Sequence, residues 1–430
     1  MKHTRAAALA AAAFIPTTAL AQEAAPASET SVFLFNTLFF LLCGMLVMIM
    51  AAGFCMLEAG LVRARSAASI SLKVIAAYCV AGIMVWLTGY NLAYGVEPGG
   101  FLGRFELWEA KDIDPVGEGV ASSAAFFYQL ALAATAALIV SGAIAERARL
   151  LAFLIFTAAF SGFIYPIAAS WDWGGGYLEA DWTFADFGGA TIVHSAGGWA
   201  ALAAALVIGP RRGKYPGRRV APIMGSNLPL AALGAFILWF GWFGLIGGAQ
   251  LSFGSIGDAL AVAGVFVNTN LAASGGVLAA VIMTSLIYKR VDLTIVLNGA
   301  VGGLVSITAD PLTPAIWQAV LIGAFGGVIV TAGAPLLDRL RIDDVVGAIP
   351  VHLFCGIWGT LVVPWTNPEA SILGQIVGVL MVGAFVFTMS ALVWVTLKYS
   401  IGARIGAEQE FAGLDRTALG QDAYPEFGRS

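Results

Sequence analysis

The chain has 430 residues, of which 59% are hydrophobic and only 11% are charged. This balance lies far outside that of a soluble globular protein and indicates an integral membrane protein. The formal net charge is −4, and the basic residues sit in short clusters between apolar runs, so no nucleic-acid partner is expected.

Residues 1–21 have the composition of a secretory signal peptide. Lys2 and Arg5 precede an alanine-rich apolar stretch, and Ala19-Leu20-Ala21 offers a small-x-small cleavage pattern. The alternative is a short uncleaved anchor, although the stretch is shorter than the ~20 residues that a span needs. We therefore expect residues 22–403 to form a transmembrane domain and residues 404–430 to form a cytoplasmic tail.

Long apolar segments recur along the mature chain and can cross ~30 Å of hydrocarbon as helices. They are continuous runs rather than alternating ones, which predicts an all-α protein and not a membrane barrel. Eleven spans are predicted, near residues 32–61, 67–90, 120–145, 150–168, 188–209, 223–247, 257–287, 293–308, 314–335, 344–364 and 370–402.

Basic residues orient these spans. With the N-terminus outside, every inner loop carries a cluster such as Arg63 and Arg65, whereas the outer loops hold only Arg104 and Lys111. Positively charged loops stay in the cytoplasm. The pattern predicts an N-terminus outside and a C-terminus inside, and the spaced apolar residues of the tail favour a docked segment over a frayed one.

Two histidines remain in the mature chain, and both lie in one repeated motif. His194 and His352 each fit the pattern DxxGxxxVHxxxG, in which the aspartates are Asp186 and Asp344. The first copy opens a span that enters from outside, and the second opens a span that enters from inside. Such antiparallel copies indicate an inverted five-plus-five repeat with one extra helix, which places a shared site near the membrane midplane.

Other roles are open for these residues. A membrane histidine can simply bond a neighbouring helix, and an aspartate at a helix start can cap free N–H groups. We expect neutral imidazole rings, because a charged ring is costly there. Glu58 and Glu146 lie near cytoplasmic helix ends with arginines close by, and each is expected either to pair with an arginine or to cap a helix. No metal, cofactor or enzyme site is expected, since HExxH, CxxC and nucleophile patterns are absent from the sequence.

Several segments together resemble the ammonium transporter family, the Amt, Mep and Rh proteins. They include GFCMLEAGLVRAR, ALIVSGAIAERARL, DFGGATIVH and DDVVGAIPVHLFCGIWG. The resemblance implies a homotrimer in the lipid bilayer, with one ammonium or ammonia pore per subunit. It also implies that His194 and His352 form the pore pair, and that Trp173 and Asp186 belong to the outer vestibule where ammonium loses a proton.

The chain departs from the family at the pore mouth. Leu132 and Leu245 stand where the family has two stacked phenylalanines, and Ala249 stands where it has a vestibule serine. A shift of register would bring other phenylalanines to the mouth, and the candidates are Phe126, Phe127 and Phe243.

Two functions follow from this resemblance. The first is an ammonium transporter of a bacterial inner membrane; the second is an ammonium sensor or a pore for another small neutral molecule. The tail resembles the family's docking segment for a PII-type regulatory protein, although Leu419, Gly420 and Gln421 replace the family's usual HGE.

Overall fold

The computed structural model describes residues 28–427, and the regular structure of this range is helical apart from one bridge between Ala148 and Arg404. The predicted signal peptide, residues 1–21, lies outside the described residues. The apolar helices are α1 Glu29–Leu61, α2 Ala64–Tyr94, α3 Ser122–Ala143, α4 Leu150–Ser170, α5 Ala190–Ile208, α6 Leu228–Gly248, α7 Ile256–Tyr288, α8 Leu293–Ile307, α9 Ile316–Arg339, α10 Ile349–Trp365 and α11 Ile372–Ser400.

Nine helices within residues 28–427 are long and apolar enough to cross a membrane. The other two, α8 and α10, are apolar but shorter. The 15 residues of α8 rise only about 22 Å, less than the hydrocarbon thickness. All of these helices coincide with predicted spans, while the count of eleven crossings and their orientation stay predictions.

Side-chain caps fix where several helices begin. A cap oxygen accepts a hydrogen bond from an N–H group that has no partner within the helix. At α7 the Ser255 and Asp258 side chains bond each other's backbone N–H groups. Single caps begin α1, α6, α8 and α11, and they are Ser28, Asn227, Asp292 and Ser371.

Two pairs of helices that lie five positions apart in the chain pack together. α1 packs along α6, and the start of α5 packs against the start of α10. Small residues permit the close approach, since a Cβ at Gly234 would overlap the backbone nitrogen of Leu57. This arrangement is the one expected for two repeated halves that meet at their equivalent helices.

The tail is docked against the helical body. The Asp415 carboxylate accepts hydrogen bonds from the N–H groups of Ala68 and Ser69 at the start of α2, and from the Ser69 hydroxyl. Glu410 accepts a hydrogen bond from the Arg212 N–H and pairs with Arg404 at 2.8 Å. The tail therefore ties together α2, the loop after α5 and the end of α11.

Candidate functional site

The two copies of the motif fold into the same local structure. The Asp186 carboxylate accepts hydrogen bonds of 2.7–2.8 Å from the N–H groups of residues 190–192. The Asp344 carboxylate accepts bonds of 2.6–3.0 Å from those of residues 347–349. Both aspartates therefore cap the helices that carry the histidines.

The glycines of the motif shape the same turns. Gly189 and Gly347 adopt φ values of 89° and 81°, a left-handed conformation that other residues rarely take. Four residues after each histidine, Gly198 and Gly356 lie where α5 and α10 touch. A Cβ at Gly198 would lie 2.6 Å from the Leu353 backbone nitrogen, and one at Gly356 would lie 2.5 Å from a carbonyl oxygen of the opposite helix.

The two predicted histidines meet at this contact. The Nδ1 atoms of His194 and His352 are 3.3 Å apart, and the ring centroids are 5.3 Å apart with an interplanar angle of 26°. Both rings are buried. A hydrogen bond between two Nδ1 atoms needs one ring to donate and the other to accept, so a single proton lies between them.

An aromatic side chain that the sequence analysis did not single out holds the pair. The Trp242 ring stacks on His194 at 4.6 Å and 13°. Its Nε1–H donates to the Thr308 hydroxyl at 2.9 Å. The only sequence signal for this contact is the GWFG segment, which contains Trp242 but does not reveal its partner.

Most of the predicted mouth residues share one cavity, which we call the Trp173 cavity. Its volume is about 580 Å³, and its wall includes Leu132, Trp173, Asp186 and Ala249. Trp173 is fixed by a 2.9 Å hydrogen bond from its Nε1 to the Asp186 carbonyl oxygen. Leu245 is fully buried in α6 and is not among the described residues that line this cavity.

Phenylalanines do line the Trp173 cavity, but not at the positions considered from the sequence. The wall contains Phe40, Phe184 and Phe187. Phe126 instead stacks on Trp108 with centroids 3.9 Å apart, and Phe243 packs on Phe266 at 5.0 Å. A shift of register therefore does not bring these two phenylalanines to the cavity wall. The phenylalanines that do line the wall are brought there by tertiary packing, which motif spacing does not predict.

The charge of the Trp173 cavity is one-sided. Its described lining has four carboxylates and no basic side chain, and the acidic residues are Asp172, Glu179, Asp186 and Asp310. Asp186 precedes α5, and burial raises its pKa to about 6 although backbone N–H groups bond its charged form. Such a wall favours a cation over an anion or a neutral molecule.

Buried charges also lie near the tail. Glu58 was expected to pair with a nearby arginine or to cap a helix, and the arginine partner is wrong. Its carboxylate lies 3.7 Å from the Lys73 ammonium and accepts a 2.7 Å bond from the Ser141 hydroxyl. Glu58 points into the contact of α1 with α2 and α3, where Lys73 is the basic group within reach, while Arg63 binds Glu146 instead.

Glu146 pairs with arginines, as expected, but its partners come from distant loops rather than from its own segment. It pairs with Arg63 at 2.7 Å and with Arg211 at 2.6 Å, and Arg211 also binds Asp343 at 2.8 Å. Burial alone would raise the pKa of Asp343, but the hydrogen bonds from Arg211 and the charges of Arg147 and Arg211 lower it to about 2. This cluster joins the loops after α3, α5 and α9.

These features define a multi-pass helical membrane protein in which repeated helix starts bring two buried histidines together, and in which residues just before the first of these helices line an acidic cavity. A profile of the Ammonium Transporter Family matches residues 38–424. The chain belongs to the ammonium transporter family.

Individual relatives agree with this assignment. The chain is 38% identical to the ammonium transporter Amt2 of Archaeoglobus fulgidus, over 90% of this chain and 87% of that protein. Its structure is similar to that of a sensor Amt protein, with a TM-score of 0.83 and 32% identity over 90% of this chain and 98% of that one. Mep2 of Candida albicans is similar with a TM-score of 0.80 and 25% identity, over 89% and 88% of the two chains.

Proposed function

We propose that the protein conducts ammonium-derived nitrogen across a bacterial inner membrane through a pore that contains His194 and His352. The observation that carries the proposal is the Nδ1 pair, buried at 3.3 Å where α5 crosses α10, in a member of this family. Neither ring needs a charge to hold this contact, which suits a site within the hydrocarbon region.

The proposed route has three stages. Ammonium binds in the Trp173 cavity, where the acidic wall attracts a cation and the Trp173 ring offers a cation–π face worth about 0.5–2 kcal/mol. It then releases one proton near the pore mouth, and neutral ammonia passes along the apolar interior. The proton moves separately along the histidine pair, and ammonium forms again on the other side.

This route accounts for selectivity against potassium. A bare ion in an apolar pore loses several kcal/mol of hydration that the walls do not replace. Ammonium is similar in charge but can shed a proton and cross as a neutral molecule. Asp186 and Asp344 act on this route through the helix starts that they cap, and Leu132 and Leu245 form the proposed gate in place of two phenylalanines.

The test is a current measurement on protein reconstituted in a solid-supported membrane. An ammonium jump should evoke a current in the parent, and His194→Ala and His352→Ala should abolish it or remove its selectivity over potassium. A histidine pair that serves only as a helix-to-helix bond would leave selective current in folded variants. A silent parent in intact oligomers would overturn electrogenic transport.

Ammonium sensing is the second candidate. It is favoured by the similarity to a sensor Amt protein and by Leu132, Leu245 and Ala249 at the positions of the family's aromatic and hydroxyl groups. A transporter with a leucine gate should change its uptake rate when Leu132→Phe and Leu245→Phe are combined. A sensor should show little flux with either gate while still binding ammonium.

The assembly and its setting are parts of the same proposal. We expect a homotrimer in the lipid bilayer with the N-terminus outside, residues 1–21 removed as a signal, residues 22–403 crossing eleven times and residues 404–430 inside. Native mass spectrometry should report three copies of the cleaved chain. Pull-down with a PII-type protein tests the tail, because Leu419, Gly420 and Gln421 replace the family's usual docking residues.

A further inference from the structure

Two side chains in the wall of the Trp173 cavity have acceptor oxygens that the protein does not use. Asp172 is only 6% exposed, and its Oδ2 atom has no hydrogen-bond partner among residues 28–427. The Oε1 atom of Gln129, on α3, is buried in the same way. Both residues line the cavity. An unsatisfied buried acceptor is costly, about 1–3 kcal/mol and more for a charged group, so such pairs call for an explanation.

The other carboxylates of the cavity do not share this property. Both oxygens of Asp186 are occupied by the backbone of α5. Asp310 accepts hydrogen bonds from the N–H groups of Leu312 and Thr313 and from the Thr313 hydroxyl. Glu179 is exposed to solvent. Asp172 is therefore the buried carboxylate in this wall with free acceptor capacity.

The chemistry of these groups selects the ligand. Carboxylate and amide oxygens accept hydrogen bonds, and a ligand that satisfies both must carry several donors and a positive charge. Ammonium has four N–H donors and no acceptor. The terminal torsions of Asp and Gln side chains are broad, so both oxygens can turn toward a ligand at small cost.

We propose that Asp172 and Gln129 bind the ammonium ion directly in the Trp173 cavity. This inference rests on the proposed function and deepens it, because it assigns direct contacts to the cation in a vestibule where Ala249 replaces the family's serine. Neither residue was singled out from the sequence, although Asp172 directly precedes Trp173. Trp173 supplies the ring face and Asp172 supplies the charge.

The electrostatics of the Trp173 cavity point the same way. Burial raises the pKa of Asp172, and the nearby carboxylates of Asp186 and Glu179 raise it further. A cation bound beside Asp172 offsets both effects, whereas an anion would add to them.

The experiment compares Asp172→Asn with Asp181→Asn, which makes the same change at an exposed position outside the lining of the cavity. Two readouts are taken at constant ionic strength. One is the stabilisation of the detergent-solubilised protein by ammonium chloride relative to sodium chloride, which reports binding without transport. The other is the half-saturating ammonium concentration of the membrane current.

We expect Asp172→Asn to lose the ammonium-specific stabilisation and to raise the half-saturating concentration by about tenfold or more, as for a lost hydrogen bond to a charged group. Asp181→Asn should change either value by less than about twofold, since exposed charges are screened. Gln129→Met keeps the charge and should produce a smaller shift in the same direction; it carries the test if Asp172→Asn does not fold.

The two hypotheses fail separately. A parent that conducts ammonium, with Asp172→Asn indistinguishable from Asp181→Asn, overturns this assignment and leaves the transport proposal standing. A parent that is stabilised by ammonium but carries no current, with stabilisation lost in Asp172→Asn, overturns transport and supports the assignment. A parent that is neither stabilised nor conducting overturns both.

Discussion

The contact between Trp242 and Thr308 determines how the first histidine is held. Trp242 stacks on His194, and its Nε1–H is bonded to the Thr308 hydroxyl. The orientation of the imidazole therefore depends on a hydroxyl at the end of another helix, α8. A ring held in this way keeps its Nδ1 atom aimed at His352. This packing against the His194 ring matters because a shift of one ångström in a hydrogen-bonded pair breaks the bond.

We predict that Thr308→Val destabilises the protein by about 1–3 kcal/mol, because it leaves the buried Trp242 N–H without an acceptor. Thermal unfolding in detergent measures the loss, and the ammonium current should fall with it. Thr331→Val is the matched control, since that buried hydroxyl bonds only to the Gly327 carbonyl oxygen of its own helix. Equal effects of the two variants would contradict the proposed support of His194.

At the scale of helices, the crossing of α5 and α10 sets the distance between the histidines. The backbones approach so closely at Gly356 that a Cβ there would lie 2.5 Å from the Ala190 carbonyl oxygen and from the Ser195 hydroxyl. Interiors are packed too densely to absorb such an overlap without a shift of the helices.

We therefore predict that Gly356→Ala destabilises the protein by about 1–3 kcal/mol and separates the two rings. The shift of the histidine nitrogens in ¹⁵N spectra reports the ring separation, and the unfolding temperature reports stability. Gly264→Ala on α7 is the control, because a Cβ there meets nothing within 4 Å. That substitution should be neutral or stabilising by about 0.5–1 kcal/mol, as for an alanine in a helix. The same response from both variants would mean that the crossing is not tight.

The Arg211 cluster gives a prediction for pH dependence. The pKa of Asp343 is lowered to about 2 from its usual 3.8, so the ionised form contributes stability above pH 3.8, and this contribution is lost as the pH falls through about 2. Asp343 should therefore not change the unfolding temperature of the parent between neutral pH and about pH 4. Below about pH 4 its protonation should lower the stability of the parent.

Arg211→Met should reverse this behaviour. It leaves Glu146 and Asp343 buried with one partner fewer, which costs about 3–5 kcal/mol at neutral pH. Protonation then relieves the unpaired charge, so mild acid should stabilise the variant relative to its own value at pH 7. Unfolding temperatures measured between pH 3 and pH 7 test this prediction. Parallel curves for parent and variant would refute the coupling of Arg211 to the buried carboxylates.

The sequence predicted the positions of the helices well, and the reason is physical. A span must be long and apolar to cross hydrocarbon, so hydropathy alone locates α1, α5 and the other helices to within a few residues. The meeting of His194 with His352 was also predictable, because the repeated motif implies equivalent helices that face each other. Contacts between non-equivalent helices were not: Lys73 with Glu58, and Trp242 with Thr308, depend on packing that no spacing encodes.

At the scale of the whole molecule, the C-terminal tail connects segments that are distant in the chain, namely the start of α2 and the loop after α5. Asp415 is completely buried although it lies near the C-terminus, and both of its oxygens bind the start of α2. A carboxylate at that position satisfies free N–H groups and interacts favourably with the helix dipole. The tail is thus part of the structure of the helical body.

We predict that Asp415→Ala lowers the free energy of unfolding by about 0.5–2 kcal/mol, the usual cost of a lost helix cap. It should also raise protease sensitivity after residue 403. Asp422→Ala is the control, because Asp422 forms only an exposed pair with Arg416 at 2.8 Å, and such pairs contribute little. Protease resistance equal to that of the parent in Asp415→Ala would argue against a tail held at this point.

The Nδ1-to-Nδ1 contact has one more consequence, for a pore that passes protons along it. Each proton that enters at one ring and leaves at the other reverses the direction of the hydrogen bond between them, because donor and acceptor exchange tautomers. The pair then blocks a second proton from the same side until both rings reset. In the proposed transport route, the two histidines therefore admit one proton per cycle, and the time that both rings need to reset sets an upper limit on the current even at saturating ammonium.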